Sequence, residues 1–335
     1  GGVVKCTVQN VGCYNFSGKE KLTTLRLHKE GGRSSGWEVR SAVESIGGTD
    51  TVKDKINQDR GFASLPSEGE DVGLFGVFDG HGPNGQDASK MLAEEFVPKL
   101  QKSLENHFAG RGSKNVLDVV SKEFVSADAG MTSRDEYQMS GATGTITCLM
   151  GDSVLCAWVG DSRAVVGSAN QTGGIVATHL SNDHKPNRPD EKIRIEKAGG
   201  EVRQAGFMDS YSGPMRVFKP GEQFPGLAIS RSFGDESGKK VGVTVLPELS
   251  VLKLTSEVRC IIICSDGVWD EMSADEVVRM VMTFSAEMDA KGAAQTLCNE
   301  ARRRWINARR DGFGNIDDIT AVVVMLKERE EGWIR

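Results

Sequence analysis

The chain has 335 residues, 38% of them hydrophobic and 26% charged, with a formal net charge of −6. That composition is ordinary for a globular protein and leaves room for one large domain or two of average size. The acidic balance argues against nucleic acid as a partner, because its backbone is held by basic stripes. No apolar run approaches the roughly eighteen residues that a membrane helix needs.

Residues 1–36 are rich in Gly, Ser, Thr and Lys and read as an N-terminal extension, with Lys21 to His28 alternating well enough for an added edge strand. The chain opens on Gly1-Gly2-Val3-Val4-Lys5 without an initiator Met, so it reads as trimmed. It shows no charged-then-apolar leader, and Lys5 stands where N-myristoylation requires Ser or Thr. A globular domain is expected over 37–330. Ser41 to Ile46 is its first strand, turned by Gly47-Gly48. A polar stretch leads to Asn57-Gln58-Asp59-Arg60 and Gly61-Phe62-Ala63, and Pro66 to Asp71 is an acidic loop. The apolar run Gly73 to Phe78 then breaks at Asp79-Gly80-His81-Gly82, the signature of a buried strand ending in a tight turn.

After Gly85 the period changes. Ala88, Met91, Leu92, Phe96, Leu100 and Leu104 fall at helical spacing, as do Val116, Val119, Val120, Phe124 and Ala127 in a second helix. Both stripes read as core-facing amphipathic faces. Strands return at Thr143 to Met150 and Val154 to Val159 around the hairpin signal Gly151-Asp152-Ser153, then at Ala164 to Gly167 and Ile175 to Leu180. Sequential hairpins imply antiparallel pairing. Residues 181–226 differ in texture: a loop at Asp183 to Pro189, a short helix at Asp190 to Lys197, then a Gly, Pro and Ser-rich segment with little core. This segment is the candidate flap. Strands at Leu249 to Leu254 and Arg259 to Cys264 precede a helix opened by the capping box Ser273-Ala274-Asp275-Glu276, a long helix from Lys291 to Arg309, and a last strand from Ile319 to Leu326. The order fits an α+β domain of antiparallel sheets covered by helices. Of the seven cysteines, Cys148, Cys156, Cys260 and Cys264 lie inside apolar runs, and no Cys-x-x-Cys pair exists. The odd count and buried setting point to a reducing compartment, cytoplasm or nucleus.

The chemistry lies at the strand ends. Asp79, Asp161 and Asp266 each follow an apolar strand, Asp270 comes one turn after Asp266, Asp317-Asp318 immediately precede the last strand, and Asp59 lies beside another. Gathering so many carboxylates is prohibitive unless cations neutralise them. Oxygen ligands nearly free of His and Cys select Mg²⁺, Mn²⁺ or Ca²⁺. Two such cations ~3.5–4 Å apart form a hydrolytic device that activates water and clamps phosphoryl oxygens. What remains is a proton for the leaving alkoxide, and His81, two residues after Asp79, can supply it.

Asp79-Gly80-His81-Gly82, Ser140-Gly141-Ala142-Thr143, Gly160-Asp161-Ser162-Arg163, Ser230-Arg231-Ser232-Phe233-Gly234-Asp235, Ser265-Asp266-Gly267-Val268-Trp269-Asp270 and Asp317-Asp318-Ile319-Thr320 occur in that order. The series, spanning about residue 40 to 328, resembles the metal-dependent serine/threonine protein phosphatases of type 2C. The resemblance implies a four-layer α-β-β-α sandwich: two central antiparallel sheets flanked by helices, a flap insertion at about 181–226, and a metal cleft at one edge. It implies two Mg²⁺ or Mn²⁺ per catalytic site and a weaker third. Asp79 would bridge the two metals, the Gly80 carbonyl would ligate one, Asp266 and Asp317 the other, and Asp161 and Asp270 the third. His81 would be the general acid. A hydroxide bridging the metals would attack phosphoserine or phosphothreonine directly, with no phosphoenzyme. Phosphorylated proteins are the implied partners, and a monomer is expected.

Two positions depart from the family's usual pattern. Gln58-Asp59 stands where Glu-Asp is common, which removes one charge from a metal site. Asp54 stands where an arginine usually grips the substrate phosphate, so Lys53 or Lys55 takes over as a point charge. Asp318 also occupies a place where Asn is frequent. Two competing readings follow. Gly160-Asp161-Ser162-Arg163-Ala164 approaches a serine-hydrolase elbow, but a strand rather than a helix follows it. The other alternative is a pseudophosphatase that binds phosphoproteins or acts as a scaffold; intact Asp79, Asp266 and Asp317 argue against it.

Overall fold

A computed structural model of the chain describes residues 20–27, 35–49, 55–64, 72–111, 115–170, 172–207, 210–309 and 315–329. Lys53 and the acidic loop Pro66 to Asp71 lie outside them, as does most of the segment 1–36. Four strands come first: β1 (Glu20–Leu27), β2 (Ser35–Ile46), β3 (Asp59–Ser64) and β4 (Val72–His81). A continuous helical stretch follows, made of α1 (Gly85–Met91), a π-helical turn at Leu92–Phe96, and α2 (Val97–Phe108); α3 (Val116–Thr132) packs beside it. Next are β5 (Gly141–Ala142), β6 (Gly144–Met150), β7 (Ser153–Val159), β8 (Arg163–Ala169), β9 (Ile175–His179), α4 (Pro189–Lys197), β10 (Glu201–Phe207), β11 (Ser210–Phe218) and β12 (Pro225–Leu227). The chain closes with β13 (Phe233–Gly234), α5 (Glu236–Lys239), β14 (Glu248–Lys253), β15 (Val258–Cys264), α6 (Asp266–Trp269), α7 (Ala274–Met282), α8 (Ala290–Ala308) and β16 (Ile319–Arg329).

Two antiparallel sheets dominate. One has the order β1-β2-β16-β15-β8-β9; the other runs β13-β5-β4-β6-β7-β14, with β3 also paired to β4. Period-two alternation sorts their side chains into three apolar layers. On β15, Ile261 and Ile263 face the other sheet with Val322 and Val324 of β16 and Phe75 and Val77 of β4. Cys260, Ile262 and Cys264 point the opposite way, onto Val277, Val281, Leu297 and Ala301 of α7 and α8. On β4, Leu74 and Phe78 cover the outer face against Leu92, Phe96 and Leu100 of the first helical stretch. The result is the expected helix–sheet–sheet–helix sandwich. Both faces of the inner strands are apolar, which is why they read as continuous hydrophobic runs. The capping box at Ser273 forms: its hydroxyl accepts from the Glu276 N–H, and the Glu276 carboxylate accepts from the Ser273 N–H.

Two expectations need correction. The strand holding Phe78 does not stop at Asp79. It runs to His81, because Gly80 and His81 pair with Ala142 and Gly141 of β5. The Gly, Pro and Ser-rich stretch after α4, expected to carry little core, is built into strands that the sequence reading did not foresee. β10, β11 and β12 form a separate sheet, and Ile195, Val202, Val217, Val241 and Val243 make a small core beneath it.

Candidate active site

Antiparallel pairing brings the acidic strand ends to one edge. In the first sheet Cys264, the last residue of β15, is flanked by Arg163 at the start of β8 and Ala321 near the start of β16. Asp161, Asp266 and Asp317 therefore emerge side by side. In the second sheet Asp59 lies directly opposite Asp79 across β3 and β4. Ser265 ties the two sheets: its hydroxyl donates to Asp59 Oδ2 at 2.7 Å and accepts from the Thr320 N–H at 3.0 Å. The Thr143 hydroxyl accepts from the Asp79 N–H at 3.1 Å and meets the Ser162 hydroxyl at 2.8 Å. A side chain at Gly80 cannot be accommodated, since its Cβ would stand 2.2 Å from the Gly85 carbonyl oxygen.

The electrostatics are those of crowded, dehydrated carboxylates. Asp59 is 2% exposed; burial, and after it the charges of Asp318 and Asp317, push its carboxyl up to about 7. Burial raises Asp79 far above the usual carboxylate range, reinforced by Asp59, Asp266, Asp317 and Asp161. Asp266 is raised likewise, by burial and then by Asp161, Asp317 and Asp270. Asp270, at the exposed rim, is raised by burial and by Asp161 and Asp317 against the pull of Lys185. Oδ1 of Asp59 and Oδ1 of Asp266 are buried with no hydrogen-bond partner among the described residues. Mutually repelling oxygens, two of them orphaned, form a donor set suited to hard divalent cations.

Two lysines reach into this set. Lys185 Nζ lies 2.5 Å from Asp161 Oδ2, and Lys55 Nζ lies 2.9 Å from Asp317 Oδ1 and 3.2 Å from Asp318 Oδ2. Residues 55–58 are not part of a strand. The Gln58 amide donates to the Gly82 carbonyl and to Gln86 Oε1, and thus braces the turn after His81. Asp318 is a brace as well: it accepts from the Gly48 N–H at 2.6 Å and the Gln58 N–H at 2.9 Å. His81 Nε2 lies 2.7 Å from Asp235 Oδ2. Burial works to lower the imidazole pKa, but the charge and hydrogen bond of Asp235 outweigh it and the net shift is upward.

Sequence reasoning singled out neither Lys185 nor Ser265, and it quoted Asp235 only as the end of a motif. Each is a partner identified only by its contacts in the folded chain. Among the described residues, the only three acid side chains whose ligand oxygens all fall within 4.8 Å of one another are Asp190, Glu191 and Glu248. Arg188 pairs with all three, and Arg194 and Arg231 also pair with Glu191. Their charge is thus neutralised by guanidinium groups, and the group is an ion-pair anchor for α4 rather than a cation site.

Fold and site together define a metal-dependent hydrolase of phosphate esters. The family model for protein phosphatase 2C matches residues 40–307. The probable protein phosphatases 2C 61 and 72 of Arabidopsis thaliana are 34% identical over 274 residues and 32% identical over 299 residues. The first match covers 82% of both chains; the second covers 87% of this chain and 86% of its relative. The crystal structure of a serine-threonine phosphatase 2C from Toxoplasma gondii superposes with a TM-score of 0.73 at 24% identity, covering 92% of this chain and 99% of that one. The chain belongs to the protein phosphatase 2C family, the metal-dependent protein serine/threonine phosphatases. Nothing in the site favours a pseudophosphatase: Asp79, Asp266 and Asp317 are retained and converge.

Proposed function

We propose that the chain hydrolyses phosphoserine and phosphothreonine in protein substrates at the cleft lined by Asp79, Asp161, Asp266 and Asp317. The convergence of these acids from four separate segments carries the reading. Asp79, central to the cluster, is assigned as the bridge between two cations, Mg²⁺ or Mn²⁺. Asp59 and the Gly80 carbonyl would support one cation site, and Asp266 and Asp317 would hold the other. Asp161 and Asp270 are assigned to a weaker third. The cations, when bound, supply an activated water and neutralise the phosphoryl oxygens.

The remaining roles belong to side chains. Lys55 stands on the acid cluster and is the candidate cation for the substrate phosphate; Lys53 is the other candidate. His81 holds the proton for the leaving oxygen of serine or threonine, whose alkoxide is too basic to depart unprotonated. The segment 181–226 meets the cleft through Lys185 and is the candidate flap that shapes substrate choice. All five cysteines among the described residues are buried and free, which supports a cytoplasmic or nuclear setting.

The test compares two substrates, a phosphothreonine peptide and p-nitrophenyl phosphate, with Mn²⁺ or Mg²⁺ and with chelator. Metal-dependent turnover of both is expected. His81→Gln is expected to slow the peptide far more than the aryl ester, because the aryl oxide leaves without a proton. Absence of metal-dependent turnover, or full activity in Asp79→Asn, would overturn the assignment.

A further inference from the structure

His81 and Asp235 lie 154 residues apart in the chain and meet across a strand that has no side chain in the way. His81 pairs with Gly141 of β5, and Gly141 pairs on its other edge with Gly234 of β13. A Cβ at Gly141 would stand 2.6 Å from Asp235 Oδ2, so only glycine lets the carboxylate reach the imidazole. Phe78 and Phe233 pack edge-on at 6.4 Å between their centroids and fix β4 against β13 just before the two residues. Asp235 is 1% exposed. Its backbone sits in the left-handed region at φ 49°, with its N–H donating to the Ser140 carbonyl at 3.0 Å. Its Oδ2 accepts from the Ser232 hydroxyl at 2.6 Å as well as from His81. Carboxylates only accept, so the shared proton belongs on Nε2 of the imidazole.

We infer that Asp235 is a positioning residue that holds His81 in the Nε2–H form and turns Nδ1 toward the leaving oxygen. The inference rests on the acid role assigned to His81 above. In the reaction the imidazolium gives its Nδ1 proton to the leaving oxygen as that oxygen's bond to phosphorus breaks and the attacking water oxygen bonds to phosphorus. The imidazole left behind is the neutral Nε2–H form that Asp235 already binds, so the ring keeps its orientation through the cycle. A carboxylate in this place acts through His81 and touches no substrate.

The experiment uses the full Mn²⁺-loaded chain. Asp235→Asn is expected to lower kcat on a phosphothreonine peptide about tenfold or more, with KM nearly unchanged, and to lower kcat on p-nitrophenyl phosphate less than about threefold. In a His81→Gln background the same change is expected to cost less than about twofold, because coupled residues are not additive. Nitrogen-15 NMR of the His81 ring, recorded with diamagnetic Mg²⁺ in place of Mn²⁺, is expected to show the Nε2–H tautomer in the wild type and a tautomer mixture in Asp235→Asn. Ser232→Ala, a milder change, is expected to give a smaller loss with the same substrate selectivity, and it decides the matter should Asp235→Asn fail to fold. Additive losses, equal losses on both substrates, or an unchanged tautomer would overturn the role of Asp235. If His81→Gln itself shows no substrate selectivity, the acid role falls instead, and the two failures are distinct.

Discussion

One ammonium group, Lys55 Nζ, bridges the two carboxylates that precede β16, at 2.9 Å from Asp317 and 3.2 Å from Asp318. It occupies the approach that a cation on Asp317 would share. Lys55→Met is expected to tighten Mn²⁺ binding roughly fivefold, since a partly exposed pair is worth up to ~1 kcal/mol. The chelated protein is expected to melt at a lower temperature, because Asp317 loses its cation. Calorimetric titration with Mn²⁺ and a melting curve check both. An unchanged affinity would mean that this ammonium is not felt at the metal site.

The raised carboxyls make a signed prediction about pH. Asp59 shifts from the ordinary carboxylate range to about 7 in the folded chain, and Asp79 and Asp266 shift the same way. A folded-state pKa above the unfolded one means that the native state holds the proton more tightly. Stability from these groups is present at low pH and lost as pH rises from about 4 to about 7. Divalent cations replace those protons. The rise in melting temperature produced by Mn²⁺ over chelator is therefore expected to grow between pH 5 and 8. A constant increment over that range would contradict the crowding of these carboxylates.

Asp79→Asn removes one charge from the centre of that cluster. Metal-dependent turnover is expected to fall at least about a hundredfold. The chelated protein is expected to melt higher than the wild type, since a buried like charge is gone. Turnover with and without Mn²⁺, and melting in chelator, measure the two effects independently.

Glu191 of α4 is fully buried and bonds Arg194, Arg231 and the Ser230 hydroxyl. Removing it strands guanidinium groups in a poorly hydrated place. Glu191→Ala is expected to cost about 3–5 kcal/mol in urea unfolding, and Glu191→Gln less. Mn²⁺ affinity should change little, because none of these partners is a cleft aspartate. A loss in Glu191→Ala no larger than in a surface control would show the network to be dispensable.

Gly80→Ala tests the close approach of β4 to the start of α1. The added methyl carbon would lie 2.2 Å from the Gly85 carbonyl oxygen and 2.6 Å from that of Gln58, both rigid backbone atoms. A destabilisation above about 2 kcal/mol is expected, together with weakened Mn²⁺ binding. Urea unfolding and calorimetry check them.

Much of this protein is legible in its sequence. The apolar runs ending in Asp79, Asp161 and Asp266 located the inner strands and the acidic edge, because strand periodicity and strand ends are local properties of a chain. The six motifs pointed to the family. Local signals misled where pairing overrode them. Glycines at 80 and 82 read as a turn, yet β5 extends β4 through His81. The Gly, Pro and Ser-rich stretch after α4 read as a segment with little core, and it forms a sheet of its own over a small apolar cluster.

Chain order alone marks the candidate site residues, an excess of aspartates at strand ends and one histidine beside them. Their partners follow from how the strands pair in the fold. Lys55 rests on Asp317, Asp318 braces Gly48 and Gln58, and His81 meets Asp235. Each of those contacts spans more than 150 residues of chain. Spacing along a chain encodes faces and turns, whereas a contact at such separation exists only once the order and register of the strands are set.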